Sequence, residues 1–117
     1  LITAEIQFIV IGDGDLELEH VLNYPNPFVN YTEFWFNHNR PFEPLEVQVQ
    51  ILTITGKLVK TINQTIVNEG FNSRDVKWDG KDDFGDRIGK GVYVYRLIVK
   101  SSVTGKKTEK IEKLVIL

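Results

Sequence analysis

Short runs in which apolar and polar residues alternate constrain this sequence more than any other feature. Residues 2–10 place isoleucine, alanine, phenylalanine and valine at every second position, opposite polar residues. Residues 45–51 repeat the pattern, and turn sequences such as Thr55-Gly56 and Thr104-Gly105 separate such runs. A period of two places successive side chains on opposite faces of a β-strand. The pattern therefore predicts an all-β fold.

Two further segments sharpen this prediction. The stretch "GVYVYRLIVK" is apolar on both faces through Val99, which is typical of a strand at the centre of a sheet. The stretch "GKLVKTINQTIV" has apolar residues at helical spacing, but its threonine, isoleucine, valine and asparagine residues are weak helix formers, so a strand is favoured. We expect an immunoglobulin-like antiparallel β-sandwich of about seven strands. No Cys…Trp…Cys pattern is present, so "immunoglobulin-like" describes the architecture only.

The stretch "NYPNPF" interrupts the β pattern near the start of the sandwich. Proline cannot donate to a β ladder, and it pushes the preceding residue into an extended conformation. Pro25 and Pro27 are therefore expected to end a first strand over residues 16–24 before the next begins at Tyr31. Such a break suits an edge strand that leaves one sheet and crosses to the other. A proline-rich surface turn fits the same residues.

Length and charge set the domain organisation. The chain has 117 residues, enough for one core, and its net charge of −2 offers no basic stripe to nucleic acid. We expect residues 1–14 to be the last strand of a preceding domain plus a linker, and residues 15–117 to be the sandwich. Cut from its own sheet, the strand at residues 1–11 is expected to pair with this sandwich or with another copy, giving a homodimer or strand exchange.

Catalytic and metal sites are not expected in this fragment. It has no cysteine, and His20 and His38 are isolated and expected at the surface. Four carboxylates lie in the segment "WDGKDDFGDRIGKG", but lysine and arginine interleave with them, and Asp-Gly pairs are common in turns. We therefore interpret this segment as a turn or a long hairpin loop rather than a calcium site. The carboxylates are Asp79, Asp82, Asp83 and Asp86.

Several segments, taken in order, resemble one family. "NYPNPF" is followed by an aromatic strand, then by "VQVQILTITGKLVKTI", "VKWDGKDDFGDRIGKGVYVYRLIVK" and a terminal "KTEKIEKLVIL". This order resembles the C-terminal sorting domains of the type IX (Por) secretion system of Gram-negative bacteria, and most of all the domain carried by the sortase of that system. The "WDG" to "GVYVYRL" block is also similar to the immunoglobulin-like module of flagellar hook-capping proteins.

The resemblance implies a secretion signal that is read at the outer membrane by a β-barrel shuttle protein, and a parent protein on the outer membrane surface. It also implies that cargo copies are removed by the sortase, a cysteine protease whose active site would lie upstream of this fragment. The family's late motifs fall on Gly91, on Tyr93, and on residues 96–99 and 113–117. The positions tentatively assigned to partner recognition are Gly91, Tyr93, Arg96, Lys113, Leu114, Val115, Ile116 and Leu117.

Two rival functions remain open from the sequence. Tyr31, Trp35 and Tyr95 could form a sugar-binding platform if they share a face, which would make the chain a carbohydrate-binding or adhesive module. The second rival is a structural, hook-cap-like module. For the C-terminus we expect a strand that is paired along its body, with its last few residues mostly available to a partner. Charges at Lys110, Glu112 and Lys113 favour an edge strand there.

Overall fold

A computed structural model describes residues 14–117, so the strand and linker expected before residue 14 lie outside the described residues. Within 14–117 the chain forms strands and loops, and it contains no helix that could cross a membrane. The strands are β1 (Leu18–Tyr24), β2 (Thr32–His38), β3 (Leu45–Thr53), β4 (Leu58–Ile66), β5 (Asn72–Trp78), β6 (Gly91–Ser101) and β7 (Lys107–Ile116).

The strands form two sheets, with orders β1-β2-β5 and β4-β3-β6-β7. Every neighbouring pair is antiparallel. The predicted immunoglobulin-like sandwich is confirmed. The ambiguous segment before Val67 is strand β4, and "GVYVYRLIVK" is β6, which lies between β3 and β7 as its two apolar faces predict.

The core lies between the two sheets, and the alternation in the sequence decides which residues enter it. In β3, the side chains of Leu45, Val47, Val49 and Ile51 are buried, whereas the residues between them are partly or fully exposed. The first sheet contributes Phe34 and Phe36 in the same way. Phe34 meets Tyr95 of the opposite sheet edge to face, with ring centroids 4.9 Å apart, a geometry that aromatic pairs favour.

The proline stretch carries the chain from one sheet to the other and back. β1 ends at Tyr24, and Phe28 then forms a parallel bridge with Ile116 of β7, in the other sheet. The chain returns to the first sheet as β2. The expected crossing of an edge strand is therefore confirmed, with the second strand beginning at Thr32.

The C-terminal strand is an edge strand, as its charges indicate, but its tip is not free. Leu114 is fully buried and Ile116 is 4% exposed. The Leu117 amide donates to the Phe28 carbonyl at 2.9 Å, and the Phe28 amide donates to the Val115 carbonyl at 3.1 Å. The expectation that the last residues remain mostly available is wrong for Leu114 and Ile116, because the tip is held between β6 and Phe28 and fills the core.

Candidate docking surface

The residues singled out by the resemblance lie on two adjacent strands. Gly91 is paired with Ile116 and Tyr93 with Leu114 in the antiparallel ladder of β6 and β7. Gly91 has a φ of +145°, a backbone conformation that favours glycine. Two motifs that lie about 20 positions apart in the chain therefore form one structural unit.

The ladder divides these residues between two faces. Tyr93, Leu114 and Ile116 point toward the core, and the Tyr93 hydroxyl donates to the Gly89 carbonyl at 2.8 Å. Arg96, Lys113 and Val115 alternate with core residues, so they lie on the side of the sheet away from the core. Three inward residues therefore stabilise the fold, and the three outward ones are accessible.

The outward residues form a surface that we call the β6–β7 outer face. Valines and isoleucines dominate it, and Val92 and Ile111 are 43% and 57% exposed. Arg96 lies near its middle, opposite Ile111 of β7. An aliphatic surface with a few charged groups of both signs suits contact with another protein rather than catalysis. The face consists of Val92, Val94, Arg96, Ile98, Glu109, Ile111, Lys113 and Val115.

Arg96 is held in place by a row of amide side chains. Its Nη1 donates to Gln50 Oε1 at 3.4 Å, and Gln50 Nε2 donates to Gln48 Oε1 at 3.1 Å. Gln48 Nε2 donates in turn to Asn63 Oδ1 on β4, at 2.9 Å. The row runs from β6 across β3 to β4. It orients the guanidinium group on the outer side of the sheet.

The stretch "NYPNPF" contributes an edge cap that sequence analysis did not identify. Asn26 Oδ1 accepts from the Val115 amide at 3.0 Å, and Asn26 Nδ2 donates to the Lys113 carbonyl at 3.5 Å. Together with Phe28, this side chain occupies the outer edge of β7 from residue 113 to residue 117. No local sequence signal reveals such a contact, since the partners are almost 90 positions apart.

The acidic loop has the turn geometry that the sequence predicts. Asp82 Oδ1 accepts from the amides of Phe84 and Asp86 at 2.9 and 3.0 Å, and Asp79 Oδ1 accepts from the Lys81 amide. Asp83 instead reaches β4, where it accepts from the Thr61 amide at 3.4 Å. Within residues 14–117, no three carboxylate or histidine groups are placed to hold one metal ion.

The two histidines occupy different environments. His20 is exposed as expected, but His38 is 4% exposed, so its predicted surface position is wrong. The Arg40 amide donates to His38 Nδ1 at 3.0 Å, so Nδ1 accepts and the other ring nitrogen carries the proton. That nitrogen lies 2.9 Å from Asn68 Oδ1. His38 is buried because both of its ring nitrogens are paired.

The aromatic residues proposed for sugar binding do not share an open face. Tyr95 is fully buried against Phe34. Trp35 lies on the outer side of the first sheet, where the Arg74 guanidinium stacks 3.9 Å from its ring centroid and Tyr24 packs at 5.0 Å. The condition for the rival sugar-binding function, a shared face, is therefore not met, because Tyr95 is in the core and Trp35 is covered by a cation.

Tyr31 is tied to the strand beside it. Its hydroxyl donates to the Glu33 carboxylate, which also accepts from Trp35 Nε1 at 2.8 Å. These hydrogen bonds, that from Tyr31 foremost, hold the pKa of Glu33 below its ordinary value. The same bond to Glu33 raises the pKa of Tyr31. The cluster orders the outer side of β2, and the Tyr31 side chain is tied through its hydroxyl while it stays 41% exposed.

Comparison with known proteins identifies one informative likeness. No family model and no curated protein matches the sequence. Among solved structures, the chain is similar to part of the crystal structure of dimeric latent PorU from Porphyromonas gingivalis, with a TM-score of 0.73 and 30% sequence identity. The likeness covers 91% of this chain and 10% of that one, so the chain spans about a tenth of the length of the structure that it matches. In fold and in sequence, this chain is similar to a segment of PorU, the sortase of the type IX secretion system.

Proposed function

We propose that this chain is a non-catalytic secretion and docking domain. It directs its parent protein, a surface sortase, through the type IX secretion system to the outer membrane surface. The observation that carries this proposal is the likeness to PorU over 91% of this chain. The two late motifs also support it, because they form one ladder that supports an accessible face.

The proposed partner is the outer-membrane β-barrel shuttle protein of that system, which docks on the β6–β7 outer face. Arg96, Lys113 and Val115 are the contact residues, whereas Gly91, Tyr93, Leu114 and Ile116 hold the ladder that presents them. Leu117 is 59% exposed beside this face, so its side chain adds to the contact. The parent protein's active site lies outside this domain.

The test is an export assay in a bacterium that has this secretion system. Residues 15–117 are fused to a periplasmic reporter, and surface display of the reporter is measured. We expect display with the native sequence and a large loss with Arg96→Glu combined with Val115→Ser, because a reversed charge and a polar group at a contact centre weaken docking.

The matched control is Arg74→Glu combined with Val103→Ser, which changes the same residue types at exposed positions away from the β6–β7 outer face. Urea denaturation of each variant checks that the domain stays folded. A native fusion that remains in the periplasm contradicts the export role. Equal losses for the two double variants contradict the assigned face but leave export intact.

A further inference from the structure

The outer edge of β7 is open over residues 107–111. Val115 directs its backbone amide and carbonyl away from β6, toward Asn26 and Phe28. The ladder with β6 has no register shift, so every second residue before Val115 directs its backbone groups the same way. Among residues 14–117, no group hydrogen-bonds to the outward backbone groups of residues 107–111. This stretch therefore offers backbone donors and acceptors to a further strand.

Space for a further strand lies beside this edge. A groove of about 570 Å³ runs between residues 15–19 and residues 106–110. Strand β1 forms one wall, but it belongs to the other sheet and does not pair with β7. Beyond the groove, Asn26 and Phe28 occupy the edge of β7 from residue 113 onward. An added strand is therefore limited to residues 107–111.

The side chains of this stretch select the strand that fits. Lys107, Glu109 and Ile111 lie on one side of the sheet, and all three are exposed. Residues directly opposite each other in an antiparallel ladder interact through their side chains, and opposite charges or paired apolar groups stabilise the ladder. A strand that fits therefore carries three selected residues at alternate positions. From its N-terminus these are an apolar residue, a lysine or arginine, and an aspartate or glutamate.

Segments of this chain do not meet these requirements. Residues 1–11 contain no lysine or arginine that could face Glu109. A second copy of β7 that is paired antiparallel about Ile111 brings its residues 107 and 108 against the edge cap. A copy that is paired about Glu109 places two like charges opposite each other, which is destabilising. The edge therefore suits a strand from a different protein.

We propose that β7 binds an extended strand of a partner protein, which adds antiparallel to its open edge along residues 107–111. The partner strand supplies an apolar side chain opposite Ile111, a cation opposite Glu109 and a carboxylate opposite Lys107. Main-chain hydrogen bonds supply the affinity, and the three side chains supply the specificity. The proposal does not depend on the export role, because the added strand lies in the plane of the sheet, beside the β6–β7 outer face rather than on it.

The test is an NMR titration of the full 117-residue chain with a synthetic peptide that is blocked at both ends. The peptide has the sequence valine-threonine-lysine-threonine-glutamate, and it is added up to about 10 mM because so small a contact binds weakly. Binding should shift the amide signals of residues 107–111. It should also slow hydrogen exchange at the outward amides of Glu109 and Ile111, and leave exchange at Lys110, which pairs with β6, unchanged.

Three changes separate a specific ladder from general attraction between charges. A peptide with lysine and glutamate exchanged should bind at least about tenfold more weakly, because two attractive pairs become repulsive. The chain with Lys107→Glu and Glu109→Lys should instead prefer the exchanged peptide. The first peptide with a methyl group on its lysine amide nitrogen keeps its charges but loses a main-chain hydrogen bond, so it should not bind.

The matched control is the chain with Lys57→Glu and Glu69→Lys, which makes the same two substitutions at exposed positions away from β7. It should bind both peptides as the native chain does, and urea denaturation checks that each variant is folded. Absence of any shift at residues 107–111, or equal binding of the two peptides by the native chain, overturns the proposal. Slow exchange at Glu109 and Ile111 before peptide is added also overturns it, because the edge would then be occupied by residues 1–11 or by a second copy.

Discussion

At the scale of single residues, Tyr95 shows how a core can hold a polar group. Its ring is fully buried against Phe34, and its hydroxyl has no hydrogen-bond partner among residues 14–117. Burial, and secondarily the Glu112 carboxylate, raise the pKa of Tyr95 well above its ordinary value. The contribution of Tyr95 to stability therefore comes from the area that its ring buries rather than from a hydrogen bond.

This environment makes Tyr95 a source of alkaline instability. The unfolded chain loses the tyrosine proton near pH ~10, whereas the folded chain keeps it. The contribution to stability is thus fully present below that pH and is lost as the pH rises toward the raised folded pKa. Tyr95→Phe should change the free energy of unfolding by less than about 1 kcal/mol at neutral pH and flatten its decline above pH ~10.

The control for Tyr95 is a neighbouring tyrosine with a hydrogen bond. Tyr93→Phe removes the bond to the Gly89 carbonyl, so it should cost about 1 kcal/mol at neutral pH and keep the alkaline decline. Urea denaturation at a series of pH values measures both effects. An unchanged alkaline slope in Tyr95→Phe contradicts the interpretation.

At the scale of elements, β7 has an accessible body and a buried tip. Residues 107–113 are exposed or partly exposed, whereas Leu114 and Ile116 belong to the core. The change occurs where the edge cap begins, since Asn26 and Phe28 cover the strand from residue 113 onward. The same strand therefore anchors the sandwich at its tip and leaves its body accessible.

The tip of β7 should be essential for folding. Leu114→Ala and Ile116→Ala remove buried side chains, so each should cost about 2–5 kcal/mol of unfolding free energy. Leu117→Ala, at an exposed side chain, should stay within about 0.5 kcal/mol of the native value. Deleting residues 114–117 should then remove most of a domain stability of about 5–15 kcal/mol. Urea denaturation separates these cases, and equal costs at 114 and 117 would show that the tip is not core.

At the scale of the whole molecule, the two open sheets formed by residues 14–117 leave four strand edges, on β1, β5, β4 and β7. Side chains from other segments of the chain cover part of them. Asp83 accepts from the Thr61 amide on β4, Gln64 donates to the Asp75 carbonyl on β5, and Asn26 covers the tip of β7. Uncovered edges pair with other chains, so these contacts oppose aggregation.

Removing two of these side chains should make the chain aggregate sooner, at a small cost in the free energy of unfolding. Asn26→Ala combined with Asp83→Ala frees the backbone amides of Val115 and Thr61, at a cost of about 1–3 kcal/mol for two exposed hydrogen bonds. Light scattering under agitation should rise earlier than in the native chain. The matched control is Asn72→Ala combined with Asp86→Ala, whose side chains make no such contact. Equal aggregation in the two double variants would contradict this account.

Much of the architecture follows from the sequence because its causes are local. A period of two in side-chain polarity places Leu45, Val47 and Val49 on one face of a strand, whatever that strand packs against. Proline cannot donate a backbone hydrogen bond, so the break after Tyr24 is fixed by two residues. The turn role of Asp82 is also local, since its carboxylate bonds to amides two and four positions onward.

What only the tertiary structure decided depends on contacts between distant segments. Trp35 alternates outward in its strand, but whether its ring is open is set by Arg74, on β5. His38 and the tip of β7 were expected at the surface, yet the first is buried through Asn68 and the second through Phe28. Burial depends on which segments meet across the fold, and periodicity gives the face of a residue without giving what covers it.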